Sequence, residues 1–302
     1  MQMTNVIINF RRHLKRRNLS KHTVKYYLNI IKLYVVWLDV ALEDVTCDKV
    51  DTYIDYLLRK RMHPASINLY LTIIRVFYDY LKYEENVDLI NPVKRNRRLR
   101  VPRPLPRSLR DHEVEKLFDA IKSKRDIAIF KLMVRCGLRV EEVAYLTLGA
   151  IDLKRRRILV QQGKGGKDRV VYISSDALEA LKAYLRFRSH CRAKNVFLVE
   201  KGTYKGKAIS VRGIQKRIEY YAKKTSIEVS CHRLRHTMAT QLLNAEAEVE
   251  TIQDLLGHNW ITTTQRYCKV SNLKVQRDYF KAMRNVLQRS EQPSVAHLFD
   301  PG

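Results

Sequence analysis

Several side chains in the second half of the sequence are of the types that can break a phosphodiester bond. That reaction needs cationic donors on the non-bridging oxygens, a nucleophile, and a proton for the departing alkoxide. One candidate donor is Arg139, which follows Gly137 in the segment CGLRVEE. Glycine there can end one helix in the left-handed conformation and leave Arg139 at the start of the next element. A helix start favours contact with an anion.

A second cluster is the segment HRLRH at residues 232–236. The spacing of His232, Arg235 and His236 places them on one side of a predicted helix. Guanidinium groups bind phosphate oxygens bidentately and keep their charge at any working pH. Arg139 and Arg235 therefore form a candidate clamp for a phosphoryl transition state, with imidazoles nearby to move protons.

The third cluster is the segment LLGHNWITTTQRY at residues 255–267. Gly257 is predicted to end a helix and to place His258 in a turn, with Tyr267 one short helix later. In a chain with 17 tyrosines, a single tyrosine is usually a packing residue. The position of Tyr267 after Gly257 and His258 is what makes it a candidate nucleophile.

Taken in order, these clusters resemble the Arg…Lys…His-x-x-Arg…His…Tyr signature of the tyrosine recombinases of the phage integrase and Xer type. The signature is met by Arg139, Lys164, His232, Arg235, His258 and Tyr267. The resemblance implies that the two arginines stabilise the phosphorane and that Lys164 protonates the leaving 5′ oxygen. It also implies that Tyr267 attacks to form a 3′-phosphotyrosine, while the first and second signature histidines assist proton transfer and phosphate contact.

The resemblance spans nearly the whole chain and carries further expectations. Glu142 supports the active site, with His236 as a second supporting residue. The reaction is expected to need no cofactor, and no metal, because Arg139, Arg235 and Lys164 supply the positive charge. It needs no ATP, because each broken bond is conserved as phosphotyrosine. The partner is double-stranded DNA with inverted core binding sites. The protein is expected to be a homotetramer on paired sites and a monomer or dimer when it is free of DNA. Accessory proteins can take part, and the task is integration, excision or resolution.

Two positions depart from the family pattern: Glu246 replaces a frequent glycine, and Cys268 and Lys269 replace Thr-His.

Composition also points to a polyanionic partner. The chain has 58 Lys and Arg against 31 Asp and Glu, a formal net charge of +27 and a pI near 10.0, which suits a nucleic acid. Between Lys94 and Arg110 every charged side chain is basic, and Pro102, Pro104 and Pro106, with Pro92 just before the stretch, oppose a helix. The predicted DNA contacts are Arg95, Arg97, Arg98 and Arg100, together with Lys167 and Arg169.

The same sequence argues against other cellular settings. No apolar run approaches the roughly 18 residues that a membrane span requires, and basic residues follow the first apolar ones, the reverse of a secretory signal. The five cysteines are scattered without CxxC spacing, which favours reduced thiols. We therefore expect a cytoplasmic, nucleoid-associated protein without membrane contact.

The elements that must position these residues fall into two predicted domains. Residues 1–92 read as a helical bundle, with apolar stripes such as Val50, Ile54 and Leu57 and with Ser20 and Thr46 as helix caps. By resemblance this is the SAM-like core-binding domain that clamps DNA. Residues 93–110 are the basic linker, and residues 111–302 are the mixed α/β catalytic domain. The fold class is mainly α with a small antiparallel sheet.

In the catalytic domain we predict one helix from Asp111 to Ile121 and another that ends before Gly137. Residues 157–161 and 169–173 are predicted strands of a hairpin. The turn at residues 163–167 looks like a phosphate-binding P-loop, but Asp168 follows its lysine where Ser or Thr is required.

At the C-terminus an apolar stripe is predicted, either packed on its own domain or, by resemblance, exchanged with a neighbouring protomer. Its members are Leu273, Tyr279 or Phe280, Met283 and Leu287.

Three alternatives stay open at this stage. Cys231, His232, His236 and Cys268 are metal-ligand types, but no acidic ligand or CxxC pair supports a zinc site. A non-catalytic DNA-binding protein would also explain the charge. A type IB topoisomerase would share the chemistry while only relaxing supercoils.

Overall fold

The structure is a computed structural model, and it describes residues 3–94, 96–101, 107–161, 168–188, 192–257 and 283. The chain divides into two compact units, an N-terminal unit of residues 1–103 and a C-terminal unit of residues 104–302. Several predicted functional residues lie outside the described residues, namely Arg95, Lys164, Lys167, His258, Tyr267 and Cys268, as do Leu273, Tyr279, Phe280 and Leu287 of the predicted tail stripe.

The N-terminal unit is built from helices, as its apolar periodicity predicts. Ser20 and Thr46 are N-caps, because each hydroxyl accepts a hydrogen bond from the backbone N–H three residues later. Pro64 occupies the first turn of its helix, where its missing N–H is not needed. The helices are α1 (Met3–Arg16), α2 (Lys21–Trp37), α3 (Cys47–Arg59) and α4 (Pro64–Tyr83), with a short 3₁₀ turn at Leu42–Asp44.

The core of this unit is rich in tyrosine. The predicted stripe of α3 is buried as expected, and the apolar stripe of α4 is buried too, with Ile67, Leu71 and Phe77 among its members. Helix α2 buries Val24, Ile30, Ile31 and Tyr34, whereas Val35 is only partly covered. The Tyr34 ring packs edge-on against Tyr53 at 5.0 Å, and its hydroxyl lies 3.3 Å from that of Tyr78. This paired aromatic cluster decides which face of α2 turns inward.

The first part of the predicted linker packs against the N-terminal unit. Val93 is buried, and the side chain of Asn68 makes two 2.9 Å hydrogen bonds with the backbone of Leu99. Arg97 forms an ion pair with Asp51. The described residues here are not helical, and the segment up to residue 101 is held on this unit.

The C-terminal unit combines helices with a three-stranded antiparallel sheet in the order β1-β2-β3. The hairpin of β2 and β3 is found where the sequence predicts it, with Val160 opposite Arg169. Strand β1 pairs with β2 but is only two residues long, too short for a sequence pattern to reveal. The elements are α5 (Asp111–Asp119), α6 (Lys124–Arg135), α7 (Val140–Ala144), β1 (Ile151–Asp152), β2 (Arg157–Val160), β3 (Arg169–Tyr172), α8 (Ser175–Phe187), α9 (Val211–Thr225), α10 (Cys231–Asn244) and α11 (Val249–Leu256).

Helix α6 lies at the centre of this unit, with Ala128, Ile129, Phe130, Leu132 and Met133 fully buried. Helices α8 and α10 pack on it, and Arg135 at the end of α6 donates to the side chain of Gln241 in α10 at 3.0 Å. In the part of the chain that the structure describes, no helix has both the length and the apolar character needed to cross a bilayer.

The connection from α10 to α11 is a Schellman motif without glycine. The N–H of Ala247 donates to the carbonyl of Leu242 at 3.0 Å, and that of Glu246 donates to Leu243 at 3.1 Å. Glu246, which replaces the family's frequent glycine, has the left-handed φ of 66°. The chain therefore keeps the turn and accepts backbone strain of about 1 kcal/mol at this position.

Candidate active site

The start of α10 presents the residues of the HRLRH segment. Ser230 caps this helix by accepting from the N–H of Arg233. The rings of His232 and His236 touch, with centroids 4.1 Å apart, so the prediction that they share one side of a helix is confirmed. His232 is exposed to solvent and His236 is partly covered.

Arg235 lies on the same helix but is directed into the protein, with only 3% of its surface exposed. One terminal nitrogen of its guanidinium donates to the carbonyl of Gly137, and the other donates to the carbonyl of Leu256. Arg235 therefore connects α10 to the ends of both α6 and α11.

Arg139 is the residue that caps the short helix α7. As the sequence predicts, Gly137 has a left-handed φ of 66°, and a Cβ there would lie 3.1 Å from a side-chain carbon of Leu256. The guanidinium of Arg139 donates to Glu142 Oε1 at 2.8 Å and to the carbonyl of Gly257 at 3.0 Å. Its backbone N–H donates to Glu142 Oε2 at 2.8 Å.

Arg169, the first residue of β3, is the participant whose position the sequence reasoning missed. It was expected to contact DNA, but its side chain is only 10% exposed. It donates to Glu142 Oε1 at 2.8 Å and to Oε2 at 2.7 Å, and its Nε donates to the carbonyl of Leu255 at 2.9 Å. A buried acidic residue predicts a cationic partner, but no sequence signal selects this arginine among 58 cationic residues.

The last carbonyls of α11 are thus held by arginine side chains from three other elements. Leu255 accepts from Arg169, Leu256 from Arg235 and Gly257 from Arg139. Free carbonyls at a helix end carry partial negative charge, which cations stabilise. Gly257 has the predicted left-handed φ, 58°. The residue that follows it in the chain is His258.

The electrostatics of the cluster centre on Glu142. Burial disfavours the charged carboxylate and is the largest single influence, but the hydrogen bonds and charges of Arg169 and Arg139 together outweigh it. The pKa of Glu142 is lowered from 4.5 to about 2. The carboxylate is therefore ionised at neutral pH, and it serves both arginines at once.

The residues of the zinc alternative are not arranged as a metal site among the described residues. Cys231 is buried, and burial raises the pKa of its thiol to about 11, which disfavours the thiolate that metals bind. Among the described residues, no three His, Cys, Asp or Glu side chains are grouped to hold a metal ion. Cys268 lies outside these residues.

Of the predicted DNA contacts, Arg98 and Arg100 are exposed. Arg97 is partly covered by its ion pair with Asp51. Lys164 belongs to the segment that joins β2 to β3, outside the described residues.

The hydrogen bonds described above bring Arg139, Glu142, Arg169 and Arg235 together around the end of α11.

Comparison with known proteins shows similarity at the level of family and of fold. Residues 107–274 match the phage integrase family, and residues 7–87 match the N-terminal SAM-like domain of phage integrases. Tyrosine recombinase XerA of Thermococcus kodakarensis is 32% identical over 268 residues, which cover 88% of this chain and 91% of that protein. Tyrosine recombinase XerC of Thermodesulfovibrio yellowstonii is 34% identical over 283 residues, covering 89% and 93%.

Solved structures give the same fold. The crystal structure of a lambda integrase dimer bound to a COC′ core site, containing residues 75–356, aligns with 88% of this chain and 95% of that chain. The TM-score is 0.72 at 19% sequence identity. Because the family match covers more than half of the chain and the curated relatives align along nearly all of it, this protein belongs to the phage integrase family of tyrosine recombinases.

Proposed function

We propose that this protein is a site-specific DNA recombinase that cleaves and rejoins strands through a 3′-phosphotyrosine on Tyr267. The observation that carries the proposal is the convergence of Arg139 and Arg235 on the end of α11, immediately before His258. Residues far apart in the signature are thereby brought to one place. Arginines gathered in this way suit a phosphate better than any other common ligand.

The proposed chemistry assigns one task to each residue. Arg139 and Arg235 neutralise the non-bridging oxygens as negative charge builds up in the transition state. Tyr267 is the nucleophile, and Lys164 protonates the departing 5′ oxygen. The phosphodiester energy is conserved in the tyrosyl bond, so rejoining needs no ATP.

The signature histidines and Glu142 complete the proposed site. His232 is exposed at the start of α10, where it can reach a bound phosphate and assist proton transfer, as we propose for His258. His236 packs against His232 and supports its ring. Glu142 orients Arg139 through two hydrogen bonds. The arginines at the end of α11 supply the positive charge that metal ions supply in other phosphoryl-transfer sites.

We further propose that the substrate is duplex DNA with inverted core sites. The lambda integrase of the similar structure is a dimer bound to a COC′ core site. Two copies bound to inverted sites and paired with a second such duplex would give a homotetramer, with the C-terminal stripe exchanged between neighbours. Accessory proteins and a nucleoid location fit this role. Arg95, Arg98, Arg100 and Lys167 are the proposed backbone contacts.

The two DNA-related alternatives are less well supported. A non-catalytic DNA-binding protein has no need for three arginines that converge on the end of one helix. A type IB topoisomerase shares the chemistry, but the curated relatives that align along most of the chain are recombinases.

The test is a comparison of wild-type protein with Tyr267→Phe on fragmented genomic DNA. Wild-type protein should form covalent complexes, and sequencing the attached DNA should reveal one short site. Tyr267→Phe removes only the nucleophilic oxygen, so it should form no adduct while its Kd for that site changes by less than about twofold. An adduct formed by the variant would overturn the assignment of the nucleophile.

A further inference from the structure

We propose that Arg169 is a positioning residue for strand cleavage, which holds Glu142 so that Arg139 can act on the scissile phosphate. This inference rests on the proposed function, because it concerns the arginine that would neutralise the phosphate. Arg169 itself would touch neither the DNA nor the reacting atoms. Its role differs from the DNA contact that the sequence alone suggests.

The first argument is that Arg169 and Arg139 share one carboxylate. Glu142 Oε1 accepts from a terminal nitrogen of each arginine at 2.8 Å, while Oε2 accepts from Arg169 at 2.7 Å and from the backbone of Arg139 at 2.8 Å. The bidentate pairing with Arg169 fixes the plane of the carboxylate. The orientation of the Arg139 guanidinium therefore depends on Arg169.

The second argument concerns charge. Glu142 carries one negative charge between two guanidinium groups, and only about a tenth of each of the Glu142 and Arg169 side chains is exposed. Arg169 balances part of that negative charge, because it donates to both carboxylate oxygens. Without Arg169, the carboxylate would pair with Arg139 alone and weaken its field at the phosphate.

The third argument is the contact of Arg169 with α11. Its Nε donates to the carbonyl of Leu255 at 2.9 Å. A Cβ added at Gly257 would lie 3.0 Å from Arg169 Cδ, so the glycine allows this close approach. Arg169 therefore links β3, α7 and the end of α11, from which His258 follows. Three of the five N–H groups of Arg169 already donate hydrogen bonds within the protein, and only 10% of its side chain is exposed, so little of it is presented to DNA.

The experiment compares full-length Arg169→Met with Arg157→Met, which removes a more exposed arginine from the neighbouring strand. The substrate is a suicide duplex of the site that wild-type protein captures from genomic DNA. At saturating duplex, Arg169→Met should reduce the single-turnover rate of adduct formation by about 10- to 100-fold, the range expected when a supporting residue is lost. Its Kd and the salt dependence of binding should match those of wild type, and Arg157→Met should cleave normally.

A second substrate separates positioning of Arg139 from a general loss of structure. In a scissile methylphosphonate, a neutral methyl group replaces one charged oxygen, so less charge remains for Arg139 to neutralise. The rate difference between wild type and Arg169→Met should shrink to a few-fold on this substrate. Arg169→Lys keeps the charge but cannot pair bidentately, and it should show the same narrowing; it also serves if Arg169→Met does not fold.

Three results would overturn the inference: a wild-type cleavage rate for Arg169→Met, a rate difference that is equally large on phosphate and methylphosphonate, or a loss confined to Kd. In the last case the salt slope should fall by about 0.9, which would make Arg169 a phosphate contact. Failure of the proposed function is distinguishable, because wild-type protein would then form no adduct or Tyr267→Phe would still form one.

Discussion

Replacing Glu142 with glutamine tests how much the arginine cluster contributes to stability. Glutamine has almost the same shape, but it lacks the charge, and its amide N–H group would face the donors of Arg139 or Arg169. A carboxyl pKa lowered from 4.5 to about 2 corresponds to about 3 kcal/mol of stabilisation at neutral pH, at about 1.4 kcal/mol per pH unit. Breaking a buried ion pair typically costs a similar amount, about 3 to 5 kcal/mol.

For a unit of this size, we expect Glu142→Gln to lower Tm by about 6 to 12 °C at pH 7, at about 2 to 4 °C per kcal/mol. Calorimetry of the full chain measures this shift. Glu141→Gln is the matched control, because Glu141 is exposed in the same first turn of α7. Its Tm should change by no more than about 2 °C, as for other surface substitutions.

The pH dependence provides a second check. Because the folded-state pKa of Glu142 is below its ordinary value, its stabilisation is fully present above about pH 4.5 and is lost as the pH falls towards 2. The stability difference between wild type and Glu142→Gln should therefore be constant from pH 7 to about 5 and then decrease. A difference below about 1 kcal/mol at pH 7, or one that does not change with pH, would refute the reasoning.

Three further predictions follow from individual residues. Lys164→Ala should slow cleavage by about 100-fold or more, and a 5′-bridging phosphorothiolate should restore the rate because its sulfur leaves without protonation; absence of rescue would assign the acid elsewhere. Glu246→Gly should stabilise the protein by about 1 kcal/mol in thermal unfolding, because glycine relieves the left-handed strain; a destabilised variant would contradict this. Neutralising exposed Arg98 and Arg100 together should flatten the log-log salt dependence of binding by about 0.9 per lost phosphate contact; an unchanged slope would remove them from the interface.

The sequence alone determined the features that depend on neighbouring residues. The caps at Ser20 and Thr46 and the left-handed glycines Gly137 and Gly257 were all predictable, because a cap or a turn involves residues only a few positions apart. The hairpin of β2 and β3 followed in the same way from two short apolar runs, at residues 158–160 and 170–173. The ordered signature also identified the family, since its residue types can be read without knowing their positions in space.

Only the tertiary structure decided which side chains meet. Glu142 binds Arg169 across 27 positions, and Arg139 binds the carbonyl of Gly257 across 118. The ion pair of Arg97 with Asp51 could not be predicted either, because the charge pattern of the basic linker shows only a series of cations. Partners at such distances are chosen by the packing of whole elements, here α6 against α10 and β3 against α11. Charge and spacing along the chain carry no information about that packing, because many arginines satisfy the same local rules.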